Sequence, residues 1–401
     1  MNVLRGALPQ NPAAAVLVYC AGVDWDAPKG TDRHLVEALA PSVPVLWVDP
    51  PRSIYRQRAP AVGPRLSRPL AGVVRLQTVG PPGLTRPGLR RLAEFAQDRH
   101  IRRICVGRAL HGIVVANPIR SFPAGLVAPS LLYVTDDWVA GAPLMGLSGR
   151  LVRAVVAANV ARASVVAAVS PGLQQSLRAL GAESVTLLPN GCRVPDYRTI
   201  APAQAPQGTP GNAISTARTP AGLVGQLNER LDLASLEAVS DAGVPMVVVG
   251  PRTDRDEAFG ARLAAWLQRD EVTWLGVRPP GELPNLIARM SVGLTPYVDS
   301  TFNRASFPLK TLEYLAHGLP VVASDLPAVR WLSCPHIDVA TSADDFASLV
   351  RRRWLAQAQD EPAARAARQD FARGHGWRKR AEALIMLLAD AAGADTARTS
   401  V

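Results

Sequence analysis

Short apolar runs rich in β-branched residues alternate with amphipathic stretches along most of the chain. Continuous apolar runs of this kind are typical of strands buried on both faces of a parallel sheet. The stretches between them repeat apolar residues at the spacing of a helix. We therefore predict an α/β protein in which strands and helices alternate. In the first half the pattern predicts strands at 16–22, 43–49, 73–79, 113–117, 131–135, 164–170 and 185–188, and helices at 32–40, 89–102, 150–162 and 172–180.

Residues 195–220 interrupt this alternation, because they are mostly Ala, Pro, Gln, Gly and Thr with almost no large apolar side chain. Such a segment cannot bury a core and indicates a linker. After it the pattern predicts strands at 222–225, 245–250, 272–276, 292–297 and 320–324, and helices at 233–242, 256–268, 283–290 and 309–317. The predicted organisation is an N-terminal domain over 1–194, the linker over 195–220, a C-terminal domain over 221–375, and a helix and tail over 376–401. No packing partner for that last helix can be inferred.

Length and composition support two packed cores. The 401 residues exceed the roughly 100 to 200 that one domain commonly holds. Apolar residues make up 48% and charged residues 19%, which excludes an intrinsically disordered chain. The formal charge of +11 predicts a surface that attracts phosphates, nucleic acid or an anionic membrane leaflet.

The hydropathy and the cysteines indicate the cellular compartment of the protein. No apolar run approaches the roughly 20 residues of a membrane helix, and no convincing signal peptide is present. A cytoplasmic protein is therefore expected, with peripheral contact to the inner face of a membrane left open. The cysteines lack metal-ligand spacing, so free thiols in a reducing compartment are expected. They are Cys20, Cys105, Cys192 and Cys334.

Two familiar nucleotide motifs are missing from the chain. No G-x-G-x-x-G follows a predicted strand, and no G-x-x-x-x-G-K-[ST] occurs. Dehydrogenase and P-loop NTPase functions are therefore disfavoured. The loops at the carboxyl ends of the predicted strands are the places where a parallel sheet usually binds ligands.

The segment 302–323, FNRASFPLKTLEYLAHGLPVVA, predicts a loop, a helix that begins near Pro308, and a further buried strand. A helix N-terminus offers free N–H groups, so the loop over 306–310 is a candidate phosphate site. Lys310 places a cation in the first turn, which is unfavourable unless an anion binds there. Glu313 lies three residues further on a neighbouring face, where its carboxylate could accept both hydroxyls of a ribose.

The stretch FPLKTLEYLAHGLPVVAS resembles the C-terminal-domain signature of retaining GT-B glycosyltransferases of family 4, particularly bacterial enzymes of the teichuronic acid type. The resemblance implies two Rossmann-like domains facing a central cleft, with the acceptor in the first and a nucleotide-diphosphate sugar in the second. It also implies retention of configuration, with neither a metal nor a bound cofactor. In that family two glutamates separated by seven residues contact the donor sugar and the ribose. Glu313 matches the second, whereas Ala305 occupies the place of the first, with Asn303 as the nearest polar substitute.

Two other segments share the resemblance. Residues 168–191 resemble the end of the family's N-terminal domain, and residues 222–232 resemble the strand and loop that open its second domain. There the family carries an Arg and a Lys against the pyrophosphate. Gln226 stands in the place of the arginine, and Arg230 lies one residue short of the lysine. The resemblance thus implies a donor-binding set of Gly225, Arg230, Asn303, Ser306, Phe307, Pro308, Leu309, Lys310 and Glu313.

Candidate acceptor residues follow two strands of the first domain. Between the first strand and its helix lie Gly22, Asp24, Trp25 and Gly30, and glycines there allow close approach to a ligand. The sequence YVTDDW ends another strand with the adjacent carboxylates of Asp136 and Asp137. These carboxylates either orient an acceptor hydroxyl or cap the segment that follows.

The function predicted is transfer of a sugar from a nucleotide sugar to an unknown acceptor, which could be a saccharide, a lipid-linked glycan or a small molecule. A non-catalytic nucleotide-binding subunit and a sugar-nucleotide 2-epimerase remain alternatives. Nucleic acid is not expected as a partner, because the basic residues are spread over both domains without an interleaved aromatic motif.

Overall fold

The computed structural model describes residues 15–27, 29–53, 63–83, 85–194 and 218–399, without the side chains of Pro87, Leu144 and 395–399. Two compact units are present. Unit 1 combines Met1–Gly191 with Trp377–Val401, and unit 2 is Cys192–Gly376. Each unit is built around its own parallel sheet.

The described strands of unit 1 form one large sheet and one small pair. Its strands are β1 (Val16–Ala21), β2 (Val45–Val48), β3 (Arg52–Ser53), β4 (Arg65–Leu70), β5 (Val73–Gln77), β6 (Val79–Gly80), β7 (Leu110–Ala116), β8 (Ser130–Val134), β9 (Val165–Ala168) and β10 (Thr186–Leu187). The large sheet has the order β10-β9-β8-β7-β1-β2-β5-β4, and β3 pairs with β6. All its pairings are parallel except that of β4 with β5. Every residue of β1 is buried, as its uninterrupted apolar sequence predicts.

The helices of unit 1 cover this sheet. They are α1 (Thr31–Leu39), α2 (Pro87–Cys105), α3 (Gly149–Val160) and α4 (Pro171–Arg178), with a 3₁₀ turn over Pro143–Met145. The final helix, α13 (Trp377–Thr399), also belongs to this unit.

Helix α13 packs against α1 and against strands β7 and β9, which supplies the partner that the sequence did not reveal. Trp377 stacks on His34 of α1, with the ring centroids 5.4 Å apart. Leu388 lies on Gly112 of β7, where a Cβ would approach its side chain to 2.7 Å. The close approach of helix and strand at this point therefore depends on a glycine.

Unit 2 contains a six-stranded parallel sheet among its described residues. Its strands are β11 (Ala221–Val224), β12 (Met246–Val249), β13 (Val272–Trp274), β14 (Gly293–Thr295), β15 (Val321–Ser324) and β16 (Ile337–Ala340). Their order is β13-β12-β11-β14-β15-β16. Numbered within the unit this is 3-2-1-4-5-6, the order of a Rossmann fold, whose ligands bind where the strand order reverses.

The helices of unit 2 pack around this sheet over an apolar core that includes Leu236, Trp266 and Phe346. They are α5 (Leu233–Asp241), α6 (Glu257–Leu267), α7 (Leu283–Ile287), α8 (Thr301–Ala305), α9 (Leu309–Ala316), α10 (Pro327–Leu332), α11 (Ala343–Leu355) and α12 (Pro362–Gly374), with a 3₁₀ turn over Gln357–Gln359. Most of the predicted linker, 195–217, lies outside the described residues. After it, Thr219 donates from its backbone and hydroxyl to the side chain of Gln357.

Several elements were not predicted from the sequence, among them α8, β4 and β16. Helix α8 falls in a segment predicted to be a loop, and the Ser300 side chain caps it by accepting from the Asn303 N–H. Strand β4 was not predicted, because it is an exposed edge strand without an apolar run. Strand β16 was also not predicted, since its apolar positions are interrupted by Asp338.

The central strands of unit 2 separate where the strand order reverses. Strands β11 and β14 are in register only at Gly222 and Gly293. Two residues further along β11, the Val224 N–H donates to the hydroxyl of Tyr314 at 2.7 Å. The Tyr314 ring, carried by α9, crosses Gly293 so closely that a Cβ there would lie 2.2 Å from it. Tyr314 therefore fixes α9 to the opening between the two strands.

The state of the cysteines and the character of the helices show whether the described ranges contain disulfides or membrane spans. All four cysteines are free and buried. Among the helices of the described ranges, none combines the length and the apolar character needed to cross a bilayer.

Replacing Gly293 by Ala is expected to destabilise the protein by about 1–3 kcal/mol, because the added methyl group collides with the Tyr314 ring. Gly281→Ala is the matched control, since a Cβ at that position meets nothing within 4 Å. Its effect should stay within about 0.5 kcal/mol. Urea unfolding of the full chain measures both variants, and equal effects would contradict the proposed role of the Tyr314–Gly293 contact.

Candidate active site

A cavity of about 210 Å³ lies in unit 2 at the carboxyl ends of its central strands. Its walls come from the loops after β11, β14 and β15 and from the junction of α8 with α9. This is the place where a Rossmann sheet binds its ligand. The lining residues are Gly225, Gln226, Asn228, Arg230, Thr295, Tyr297, Asn303, Ser306, Phe307, Pro308, Leu309, Lys310, Leu326, Ala328 and Val329.

All members of the predicted donor-binding set except Glu313 line this cavity. Glu313 is connected to it through Lys310, whose Nζ donates to its carboxylate at 2.6 Å. The walls formed by Thr295 and Tyr297 at the end of β14, and by Leu326, Ala328 and Val329 after β15, were not predicted. Their only signal in the sequence was their position at or shortly after the end of a predicted strand.

Arg230 is held in the cavity by several contacts. Its Nε donates to Asn303 Oδ1 at 2.9 Å, and its Nη2 donates to Ser306 Oγ at 3.4 Å. The guanidinium also lies over the rings of Phe302 and Tyr297, at 4.8 and 5.4 Å from their centroids. Stacking on aromatic faces together with directional hydrogen bonds is a role suited to Arg and unsuited to Lys. The charge is thereby oriented before any ligand arrives.

Asn303 is the residue that organises this corner of the cavity. Its side chain is buried, and its amide nitrogen donates to the carbonyls of Arg230 and Val298 at 3.1 and 2.9 Å. Its amide oxygen accepts from Arg230 Nε. The amide thus joins α8 to the loops after β11 and β14, and its observed contacts are with the protein. Ala305, in the place of the family's first glutamate, is buried at the end of α8.

Helix α9 presents its first residues, Leu309 and Lys310, to the cavity. Its N-cap residue, Pro308, provides no side-chain cap for the first turn. Two cations of α12 lie at the C-terminal end of α9. Arg365 donates to the His317 carbonyl and Arg368 donates to the Gly318 carbonyl. Cations at its C-terminus match the helix dipole, and the start of the helix remains suited to an anion.

Gly225 lies at the turn after β11, in a close backbone crossing. Gly250 has a φ of 142°, and a Cβ there would lie 1.7 Å from the Gly225 carbonyl oxygen. The two turns after β11 and β12 can approach this closely only because residue 250 is a glycine.

Burial raises the pKa of Tyr297, which lines the neighbouring wall, so its phenol is neutral and acts only as a donor or acceptor of hydrogen bonds.

In unit 1, the predicted residue Gly22 contacts a buried carboxylate that the sequence did not single out. Asp32, in the first turn of α1, accepts from the Tyr19 hydroxyl at 2.9 Å and from the Gly22 N–H at 3.0 Å. Burial raises the pKa of Asp32 to about 6, and the charge of Asp136 adds to the shift. A Cβ on Gly22 would lie 2.6 Å from the Ala116 carbonyl oxygen, so this turn also requires glycine.

The predicted residues Asp24 and Trp25 are engaged in the packing of unit 1. Arg52 contacts both carboxylate oxygens of Asp24, and Arg75 contacts one of them. Trp25 is buried with its ring edge-on to Trp47. Gly30 is the N-cap residue of α1, and a Cβ there would meet no atom within 4 Å. An acceptor role for these residues stays a prediction.

The two aspartates after β8 differ in their surroundings. Asp137 Oδ1 accepts from the Ala140 N–H at 3.0 Å, which is the capping arrangement left open by the sequence. Asp136 is exposed at the end of the same strand. Its role in orienting an acceptor stays a prediction.

Residues 223–352 match the family described as Glycosyl transferases group 1. The match lies within unit 2, and this part of the chain is similar to a group 1 glycosyltransferase domain. The matched residues include the entire lining of the cavity.

A protein of Bacillus subtilis strain 168, TuaH, is 30% identical to this chain over 162 residues. Its name describes a glycosyltransferase of teichuronic acid biosynthesis. The similarity covers 39% of this chain and 39% of TuaH, so it spans well under half the length of that relative.

Solved structures resemble nearly the whole chain. Sucrose-phosphate synthase from Thermosynechococcus elongatus has a TM-score of 0.64 at 16% identity, over 95% of this chain and 100% of that one. Anabaena Alr3699/HepE, in complex with UDP and glucose, has a TM-score of 0.61 at 13% identity, over 94% and 100%. The catalytic domain of Arabidopsis thaliana starch synthase IV, bound to ADP and acarbose, has a TM-score of 0.64 at 12% identity, over 94% and 99%. These likenesses confirm the predicted GT-B fold of two Rossmann-like α/β domains.

Asp32→Asn is expected to change how stability depends on pH. A folded pKa of about 6 against an unfolded value of 3.8 means that the folded protein binds the proton more tightly. The wild type should therefore lose stability as the pH rises from about 4 to about 6, by up to about 3 kcal/mol from this group. Asparagine at position 32 removes that contribution. The unfolding free energies of the wild type and the variant, measured from pH 4 to 7, should converge at low pH and differ at high pH. A constant difference between the two proteins over this range would contradict the raised pKa of Asp32.

Proposed function

We propose that the protein is a glycosyltransferase that moves a sugar from a nucleotide-diphosphate sugar to an acceptor, and that the cavity of unit 2 binds the donor. The observation that carries the proposal is the convergence of Arg230, Lys310 and the start of α9 at the reversal point of the sheet. Two cations and a helix N-terminus in one cavity form a site for a diphosphate. The family match over the same residues supports a donor that is a nucleotide sugar.

In this proposal the diphosphate lies against the first turn of α9. Lys310 and Arg230 would neutralise its oxygens, and their effect would grow as the sugar departs and negative charge develops on the leaving group. Because Arg230 is already oriented by Asn303 and by two aromatic rings, little reorganisation is needed at that stage. Charge stabilisation by these groups is the proposed means of catalysis, without a metal ion and with retention of configuration, as in family 4.

Glu313 is proposed to accept hydrogen bonds from the ribose hydroxyls. Its carboxylate lies one helical turn beyond the proposed diphosphate site and pairs with Lys310. Lys310 would therefore connect the diphosphate and the ribose ligand. HepE and starch synthase IV were solved with UDP and ADP respectively, which supports a nucleoside diphosphate as ligand without selecting a base.

The acceptor is proposed to bind unit 1, through the turn that contains Gly22 and the strand end that contains Asp136. It is a saccharide, a lipid-linked glycan or a small molecule. We also propose a cytoplasmic location with contact to the inner face of the membrane, because a net charge of +11 is attracted to anionic headgroups. Nucleic acid is not proposed as a partner.

A second candidate function is nucleotide binding without catalysis, and one observation favours it. Ala305 provides no carboxylate where family 4 has its first glutamate, and it is buried at the end of α8. Such a subunit would bind nucleoside diphosphates but release none from any nucleotide sugar. Release of nucleoside diphosphate from a panel of UDP-, GDP-, ADP- and dTDP-sugars separates the two functions.

Lys310→Gln is expected to weaken nucleoside diphosphate binding by about ten-fold or more, because it removes a charge-assisted hydrogen bond to a phosphate oxygen. Arg262→Gln is the matched control, since this exposed arginine of α6 pairs with Glu237, and neither residue lines the cavity. Isothermal titration with UDP, GDP, ADP and dTDP identifies the base and measures the loss. Binding of none of them to the wild type would sink the proposal.

Glu313→Gln separates the ribose contact from the phosphate contact. The variant should bind the preferred nucleoside diphosphate about ten-fold more weakly, because an amide accepts fewer hydrogen bonds from the two ribose hydroxyls. Inorganic pyrophosphate lacks the ribose, so its affinity should not fall in the variant. A parallel loss for both ligands, measured by the same titration, would show that Glu313 acts only by holding Lys310.

A further inference from the structure

The outward face of helix α2 in unit 1 combines exposed apolar and basic side chains. Leu92 is 59% exposed and Phe95 is 62% exposed, as is Val106 directly after the helix. Arg99 and Arg103 are also exposed. At 100° per residue these five positions fall within a sector of about 80°. They are called the α2 face below.

The carboxylates of α2 are turned away from this face. Glu94 is buried and accepts from Arg90 and from the Ser121 N–H. Asp98 is buried, pairs with Arg120 and accepts from the Ala124 N–H. The helix therefore presents arginines outward and keeps its negative charges in internal pairs.

The loop beside α2 carries no acidic residue and has a highly exposed valine. Residues 118–129 contain no Asp or Glu. The loop lies along the helix, since its Ser121 and Ala124 bond to the inward carboxylates and its Gly125 contacts the Arg102 side chain. Two residues further, Val127 is almost fully exposed. An exposed apolar side chain is thus present on the loop beside the helix, and the loop adds no negative charge.

We infer that the α2 face docks unit 1 on an anionic lipid surface. This inference rests on the membrane contact in the proposed function and names the residues that make that contact. Helices that lie in a membrane interface place apolar side chains among the acyl chains and long basic side chains at the headgroups. Leu92 and Phe95 match the first part, and Arg99 and Arg103 match the second. A nucleic acid would interact with the arginines, but it offers no apolar environment for the aligned leucine and phenylalanine.

The inference also selects among the acceptor classes. A transferase held on a leaflet by its acceptor-binding unit meets acceptors that are carried in that leaflet, at a raised local concentration. A lipid-linked glycan is therefore the acceptor class that this surface favours. A freely diffusing saccharide would gain nothing from such docking.

The test is sedimentation of the full chain with vesicles of phosphatidylcholine alone or mixed with phosphatidylglycerol. We expect binding to the mixed vesicles only, and we expect it to weaken with added salt because the headgroup attraction is screened. The double variant Arg99→Gln, Arg103→Gln should lose about five-fold in partitioning per arginine. The double variant Leu92→Asn, Phe95→Asn should lose about ten-fold or more, because both side chains then stay in water.

Matched controls carry the same chemical changes elsewhere on the surface. The double variant Arg150→Gln, Arg153→Gln removes two other exposed arginines of unit 1. The double variant Val277→Asn, Met386→Asn removes two apolar side chains that are at least as exposed as Leu92. Both controls should keep partitioning within about two-fold of the wild type, as expected for groups outside the docking face.

Three outcomes would overturn the inference: no binding to the mixed vesicles, equal binding to both vesicle types, or equal losses in the face variants and their controls. Nucleoside diphosphate titration of the same proteins keeps this test separate from the transferase proposal. Vesicle binding without nucleotide binding would leave the docking face standing and reject the transferase. Nucleotide binding without vesicle binding would leave the transferase standing and reject the docking face.

Discussion

The hydrogen bond from the Val224 N–H to the Tyr314 hydroxyl determines how unit 2 forms its cavity. Where β11 and β14 separate, the backbone of β11 loses a neighbouring strand, and a buried N–H without an acceptor is costly. Tyr314 supplies the acceptor, and its ring can cross the sheet there because residue 293 is a glycine. The same side chain fixes α9, so the start of that helix points into the opening that the strands create. The hydrogen bonding of the Val224 N–H and the placement of α9 beside the cavity therefore depend on one residue, Tyr314.

The cations of the cavity are already partnered within the protein. Arg230 is bonded to Asn303 and Ser306, and Lys310 is paired with Glu313. Asn303 and Ser306 fix the direction of the Arg230 charge without neutralising it, because both are uncharged, whereas Glu313 holds Lys310 in an ion pair. A diphosphate that entered would meet oriented donors, which lowers the entropic cost of binding. The arrangement also explains why the asparagine, rather than a carboxylate, occupies position 303: a buried negative charge there would neutralise Arg230.

The sequence predicted the parallel sheets well, because strands such as β1 and β12 are uninterrupted apolar runs. It missed α8, whose five residues have no apolar period and whose stability comes from the Ser300 cap and the tertiary bonds of Asn303. Most of the predicted donor-binding residues lie in one segment, 303–313, and all members of the set except Glu313 line the cavity. Their binding of a donor stays a prediction. Asp32 was missed, since nothing in a helical pattern distinguishes a buried carboxylate from a solvated one. The partner of α13 depends on contacts distant in sequence, and a periodic pattern contains no information about them.

The return of α13 to unit 1 has a consequence for folding during synthesis. Unit 2 is encoded as one continuous segment, Cys192–Gly376, and all of it leaves the ribosome before α13 does. Until that helix emerges, the surface of β7 at Gly112 lacks the side chain of Leu388, and His34 lacks its stacking partner Trp377. The first half of the chain is therefore made first and completed last, and its uncovered apolar surface persists through the whole synthesis of the second half. The order in which the two units mature is the reverse of the order in which they begin.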